Sequence, residues 1–231
     1  MAKILRVGTT FDYPPFTFID GNTSKPNGID VNIINYIANI LKFKIEWIKT
    51  SWWNLSDDLI DDKFDIAIGG ITNTIERSSQ FLISHPLIKD YKTILINKDR
   101  LGKITNLKSL DQKHNKIVVN IGGTNEALVK QTIKAATIIE FEHNLEIFEY
   151  LILGSADAMI TDSIEAIYRE ITNPQLHSLH SSIKLGNEFE YVYLFQASHF
   201  ELYQLINSTL GDLITNNKIK SIIDSCLNEH K

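Results

Sequence analysis

Two kinds of hydrophobic spacing take turns along the chain. Short β-branched runs, alternating or continuously apolar, are followed by longer segments whose apolar residues recur every three or four positions. Residues 3–9 read as a strand, and 10–16 as an aromatic loop stiffened by Pro14 and Pro15. A turn at Asp20-Gly21-Asn22 predicts a small hairpin. Residues 28–41 have helical spacing, 44–47 form a strand, and Ser51-Trp52-Trp53-Asn54-Leu55 opens a helix to Ile60. Two adjacent tryptophans at a helix start cannot both face the core, so one is expected to be partly exposed. Residues 64–71 are a buried strand by composition, and Thr72 to Arg77 turns into a helix. Lys92 heads a further strand to Asn97.

The pattern then repeats. A short helix at 106–110 and a strand at 116–120 lead into Gly122-Gly123-Thr124-Asn125-Glu126 and a helix from 127 to about 135. A strand at 137–141 and a helix at 144–153 follow. An apolar run then ends abruptly at Thr161 and Asp162, before a helix that carries Glu165. An extended run at 190–196 and helices at 200–211 and 217–229 close the chain. Residues 3–9 correspond to 116–120, and Phe64-Asp65 through Thr72 to Ala156-Asp157 through Thr161. The expected fold class is α/β: two βαβ-type lobes joined by two crossing strands, near 92–97 and 190–196, with a ligand cleft between the lobes. Lobe 1 takes 1–94 and 192–231, and lobe 2 takes 95–191.

Candidate chemistry sits where strands end and helices begin, the usual ligand position in α/β proteins. Thr72 and Arg77 would give a hydroxyl and a guanidinium to a carboxylate, while the plainer reading of Arg77 is a surface arginine. Gly69 and Gly70 would allow close approach to the backbone. Gly122, Gly123 and Thr124 would form an anion site of free backbone N–H groups, or Thr124 is a plain N-cap; no phosphate fingerprint is present. The loop with Tyr13 would wall an apolar pocket around Asp12, and the exposed indole, of Trp52 or Trp53, would contact ligand. Asp162 and Glu165, three apart, read most simply as a capping box.

Bulk properties narrow the classes. The chain has 231 residues, 43% of them hydrophobic and 22% charged, as in ordinary globular proteins. A net charge of −5 without a basic run argues against a nucleic-acid partner. The one cysteine, Cys226, excludes an internal disulfide and a cysteine metal cage. Seven histidines make no metal pattern, and His177-x-x-His180 reads as polar surface, so no metal and no cofactor is expected. No apolar stretch approaches the ~18 residues of a membrane span, so no membrane insertion is expected. No Gly-x-Ser-x-Gly elbow points to a serine hydrolase. Met1-Ala2-Lys3 leads straight into a strand without a signal peptide; the expected location is cytoplasmic for a complete chain and periplasmic if an export signal has been removed.

Gly28-Ile29-Asp30-Val31, Phe64-Asp65-Ile66-Ala67, Arg77 and the Lys92 crossing together resemble the type II periplasmic solute-binding proteins of polar amino acid uptake, over essentially the whole chain. A narrower resemblance, to the cyclohexadienyl dehydratases of that family, rests on further motifs. These are Ser51-Trp52-x-Asn54-Leu55, Ile71-x-x-x-x-Glu76-Arg77, Lys92-Thr93, Gly122-Gly123-Thr124-Asn125-Glu126 and Thr161-Asp162-x-Ile164-Glu165-Ala166. Trp53 departs from it, standing where such dehydratases often carry proline. The resemblance implies conversion of prephenate to phenylpyruvate, or arogenate to phenylalanine, with Glu165 as the acid and Lys92 stabilising charge or holding a carboxylate. Arg77, Thr72 and the Gly123-Thr124 loop would clamp carboxylate, and Trp52 and the Tyr13 loop would cover the ring. It also implies an alternative: a non-catalytic receptor serving an ABC transporter permease. There Arg77 would bind an α-carboxylate, Asp162 an α-ammonium, and Asp12 a cationic side chain. In either case the partner is a small carboxylate-bearing ligand, and a periplasmic location is favoured.

Overall fold

Apolar and β-branched residues alternate at the start of the chain. In the computed structural model, which describes residues 3–228, they form strand β1 at Lys3–Thr9. A three-stranded ribbon follows: β2 (Asp12–Tyr13), β3 (Thr17–Ile19) and β4 (Pro26–Asn27). Helix α1 (Ile29–Leu41) ends on Lys42, whose left-handed backbone returns its N–H to the Ala38 carbonyl. Next come β5 (Phe43–Lys49), α2 (Leu55–Ile60), β6 (Ile66–Thr72), α3 (Ile75–Gln80) and β7 (Leu82–Ile83). Strand β8 (Ile88–Asn97) leads to α4 (Leu107–Leu110), β9 (Lys116–Asn120), α5 (Thr124–Thr132) and β10 (Thr137–Phe141). After these come α6 (Asn144–Ile152), β11 (Ala158–Asp162), α7 (Ser163–Thr172) and β12 (Leu176–Ser178). Strand β13 (Leu185–Phe195) and helices α8 (Phe200–Thr215) and α9 (Lys218–Asn228) complete the order. The described chain divides into two units, one of 3–89 with 189–228 and one of 90–188.

Each unit is an α/β sheet of one plan. In the first, β1 lies between β5 and β6, parallel to both, and β13 runs antiparallel beside β6. In the second, β9 lies between β10 and β11, parallel to both, and β8 runs antiparallel beside β11. The correspondence of 3–9 with 116–120, and of 64–72 with 156–161, is thus visible in the topology.

Side-chain parity builds the core of the second unit. Ile94 and Ile96 of β8, Ile117 and Val119 of β9, and Ala158 and Ile160 of β11 enter one cluster with Val129 of α5. The intervening Leu95, Val118 and Met159 enter another with Ile147, Phe148 and Leu151 of α6 and Ala166 of α7. The sheet is therefore covered on both faces, which is why its strands read as continuous apolar runs. In the first unit β6 is buried along its length, and Leu55 and Leu59 of α2 pack on Phe64, Ala67 and Ile71. Burying each of the larger apolar side chains contributes roughly 1.5–3 kcal/mol.

Several elements differ from expectation. The tryptophans precede α2 in a turn; Trp52 packs against the core cluster and Trp53 is 44% exposed. Lys92 lies inside β8, because Ile88 to Tyr91 already continues the extended chain. Helix α5 starts at Thr124 and stops before Ile133, whose side chain turns into the core. His177 is half-buried in β12, opposite Ile96 of β8, with Nδ1 2.6 Å from Glu170 Oε1; it is not loop surface. Buried neighbours Leu176 and Ser178 pull that segment onto the sheet. Among the described residues no helix is long and apolar enough to cross a membrane.

Candidate functional site

Asp162 of β11 stands directly opposite Lys92 of β8 in the antiparallel ladder. Opposed residues point their side chains to one face, and these two form a buried ion pair. The Lys92 ammonium also donates to Thr124 Oγ1 at 2.8 Å and to Asn125 Oδ1 at 2.5 Å. It thereby ties the start of α5 to β8. That start has Gly123 as N-cap with no side-chain cap, although the N–H of Gly122 is already taken by Glu126 Oε2 at 2.8 Å. The expected nest of free amides is thus reduced to the first turn of α5.

The capping box does not form. Asp162 is the N-cap residue of α7, but its side chain makes no cap hydrogen bond. A buried ammonium attracts a carboxylate more strongly than a backbone amide does, and Lys92 takes it. The cap comes from Asp90 on β8, whose carboxylate accepts from the Ser163 hydroxyl and, at 3.3 Å, from the Ile164 N–H. Burial, and then the nearby Asp162, hold the Asp90 carboxyl above its ordinary range. Glu165, instead of reaching back to the N-cap, accepts from Thr161 Oγ1 at 2.5 Å and lies 3.5 Å from Arg169 Nη2. Thr161 in turn receives Asn125 Nδ2 at 3.4 Å. The guanidinium carbon of Arg169 is 3.5 Å from the centre of the Phe148 ring.

Glu165 is 0% exposed. Burial pushes its carboxyl up to about 7, against the pull of Arg169 and the Thr161 hydrogen bond, with Asp162 adding to the rise. A carboxyl so poised can give and take a proton at neutral pH. The second unit therefore holds a proton-bearing acid beside an internally neutralised Lys92–Asp162 pair.

In the first unit Tyr13 stacks on Phe16 with ring centres 5.4 Å apart and meets Trp52 edge-on at 5.5 Å. Phe16 lies 4.5 Å from the Tyr191 ring. Gly70 has φ +66°, and a Cβ there would come within 2.7–2.8 Å of the Tyr13 and Phe16 rings. Its N–H and that of Gly69 go to buried Asp30, at 2.8 and 3.0 Å, and Asp30 also accepts from Tyr193 at 3.1 Å. Packing of two rings and a carboxylate is thus sufficient reason for glycine at Gly70. Burial raises Asp30 to about 6, and its three hydrogen bonds oppose that rise. Asp12 is half-buried in β2, paired with Phe18 of β3.

Arg77 is half-buried, not a surface arginine. Its Nη1 donates to the Thr72 carbonyl at 2.8 Å, and burial lowers its pKa. Among the described residues no carboxylate forms an ion pair with it, so a cation waits at the end of β6, beside buried Thr72. Three further polar atoms in this unit, Thr10 Oγ1, Ser51 Oγ and Trp52 Nε1, are buried without hydrogen-bond partners among the described residues. Thr10 and Ser51 follow the ends of parallel neighbours β1 and β5, a placement that could have drawn attention to them. Asn125, Asp90 and Ser163 were missed for a different reason: each acts through a contact between elements that no local motif encodes, whereas Arg169 stands four residues beyond Glu165 on the same helix.

One group of potential metal ligands occurs among the described residues: Asp62, Asp65 and His199, with ligand atoms within 4.8 Å of one another. Arg6 already sits on both carboxylates, at 2.8 and 2.6 Å, and supplies the positive charge there.

The family model of bacterial extracellular solute-binding proteins, family 3, matches residues 5–229. A cyclohexadienyl dehydratase from Pseudomonas aeruginosa is 37% identical over 179 residues, 78% of this chain and 66% of that protein. Matched stretches span between 49% and 66% of the lengths of the first four curated relatives. Among solved structures, an ancestral amino acid-binding protein described as a precursor of cyclohexadienyl dehydratase superposes with TM-score 0.87 at 30% identity, covering 97% of this chain and 95% of that one. A mutant of ArgBP from T. maritima superposes with TM-score 0.87 at 27% identity, with the same coverage.

Proposed function

We propose, from the premise that the chain belongs to the bacterial extracellular solute-binding proteins, family 3, that it is a cyclohexadienyl dehydratase acting on prephenate, arogenate or both. The observation that carries this is Glu165: a fully buried carboxyl, raised to about 7, with a hydroxyl and a guanidinium as partners. A protein that only binds a ligand has no need of a poised proton, and burying an ionisable group is costly.

In this reading Glu165 protonates the ring hydroxyl, which leaves as water. The ring carboxylate leaves as carbon dioxide, and its bonding electrons complete the aromatic ring. Glu165 then recovers a proton from solvent, so one proton is consumed per turnover. Aromaticity supplies the driving force, and the protein supplies position and a proton. Lys92, held by Asp162, Thr124 and Asn125, stabilises negative charge near Glu165. Arg77 and Thr72 hold a carboxylate, with the Gly123-Thr124 helix start as a second anion site. Trp52 and Tyr13 face the ring, and Gly70 lets Tyr13 pack. Asp162, in the role inherited from amino acid binders, is satisfied by Lys92, and Asp12 adds a negative wall. Membership of an extracellular family supports action in the periplasm.

The test is direct. Incubation with prephenate should release phenylpyruvate, followed by its absorbance, and Glu165→Gln should reduce the rate by at least about a hundredfold. No turnover by the unmutated protein, with a clear thermal shift on adding arginine, would instead support an amino acid receptor for a transporter. Unimpaired turnover in Glu165→Gln would leave the activity standing and remove the assigned acid.

A further inference from the structure

We propose that Arg169 is a positioning residue for Glu165: its guanidinium, parked over the Phe148 ring, fixes the orientation of the buried carboxyl and limits how tightly it keeps its proton. This inference rests on the proposed role of Glu165 and adds the group that sets its working range.

The geometry is unusual for an i,i+4 pair. Arginine and glutamate in contact normally form a short, often bidentate pair that locks the carboxylate in its charged form. Here Glu165 Oε1 is 3.5 Å from a single guanidinium nitrogen, Nη2. The other oxygen, Oε2, belongs to Thr161 at 2.5 Å. The guanidinium is kept at this distance by α6, where Phe148 takes its face at 3.5 Å. Arginine stacks readily on aromatic faces, a contact that strengthens once desolvated. Arg169 therefore meets both the Phe148 ring and the Glu165 carboxyl. Closer approach would favour the charged form of Glu165, whereas removal would leave burial opposed by the Thr161 hydrogen bond without the guanidinium and so raise the pH at which the proton is lost.

The other charged groups around α7 are already engaged or point away. On β8, Lys92 pairs with Asp162, and Asp90 serves Ser163 and Ile164. On β12, His177 is held by Glu170 of α7 itself. On α6, Glu146 and Glu149 are exposed. Among the side chains that act on Glu165, Arg169 is the cation, and it opposes burial more than the Thr161 hydrogen bond does, while Asp162 adds to the rise.

The experiment titrates Glu165 directly, by carbon-13 NMR of glutamate carboxyls, with Glu165→Gln identifying the resonance. It is run on the full chain and on Arg169→Met, Arg169→Lys and Phe148→Leu. Arg169→Met should raise the Glu165 midpoint by about one pH unit or more, and Arg169→Lys should largely restore it. Phe148→Leu keeps the charge but frees the guanidinium to close on the carboxylate, so it should lower the midpoint. The pH at which kcat for prephenate falls should move in the same direction, while KM changes little. A midpoint unmoved in both Arg169→Met and Phe148→Leu overturns the inference, and the Phe148 variant keeps it open to refutation if Arg169→Met does not fold. Shifted midpoints in a protein that never turns over prephenate would uphold the role of Arg169 and sink the dehydratase reading instead.

Discussion

A buried carboxyl that holds its proton to about 7 has consequences for stability as well as chemistry. Glu165 rises from an ordinary 4.5 to about 7 on folding, chiefly through burial. The folded chain therefore binds this proton more tightly than the unfolded chain. Its contribution is fully present below about 4.5 and is lost as pH rises through about 7, a loss on the order of 3 kcal/mol. Asp30, raised from 3.8 to about 6, acts with the same sign over a lower window. Glu165→Gln should abolish the first loss and retain the second. Urea unfolding from pH 4.5 to 7.5 is expected to fall less steeply in the variant between pH 5 and 7. Equal slopes for variant and parent would show that Glu165 does not carry this proton. The sequence drew attention to Glu165 through a family resemblance, while its residues alone read as a capping box and its partners were not legible. Thr161 and Arg169 lie four residues to either side, a spacing that a capping-box reading passes over.

Pairing between elements decides what Asp162 does. Register places it against Lys92 of β8, 70 positions earlier in the chain, and no local pattern announces that. The continuous apolar run that sends Ile94 and Ile96 to one face and Leu95 to the other was legible, and runs of this kind predicted both strands. What period two cannot supply is the register between strands, which the fold sets. The Lys92–Asp162 pair is buried, so breaking it from one side strands a charge. Lys92→Met should cost about 3–5 kcal/mol, and adding Asp162→Asn should return a large part of it. The single variant should also show a thermal shift with arginine that the parent lacks, because Asp162 then has room for an α-ammonium. A double variant whose loss equals the sum of the two single losses would show that the pair is not coupled.

Across the whole chain, the two units share a device that the repeat of Phe64-Asp65 in Ala156-Asp157 foreshadowed. In the first unit the Asp65 carboxylate accepts the Arg6 N–H at 2.7 Å, while the Asp65 N–H returns to the Arg6 carbonyl at 2.9 Å. In the second, Asp157 accepts the Lys116 N–H at 2.6 Å and returns its own N–H to the Lys116 carbonyl at 2.9 Å. Each aspartate also takes an arginine, Arg6 in one case and Arg100 in the other. An aspartate just before the third parallel strand thus pins it to the first, in β6 against β1 and in β11 against β9. The repeat was readable because aspartate interrupts an apolar run at the same point twice; the arginines were not, since they arrive from unrelated positions. Truncating either aspartate leaves a backbone amide without its acceptor and takes one carboxylate from an arginine, a loss of about 1–3 kcal/mol. In Asp157→Ala, amide exchange should accelerate in β9 by about tenfold or more while β1 keeps its protection, and Asp65→Ala should do the reverse. Hydrogen-exchange mass spectrometry of the two variants reads both strands in one experiment. If β1 and β9 accelerate together in either variant, the repeated aspartate acts on the stability of the entire chain, and the idea that it anchors each sheet separately fails.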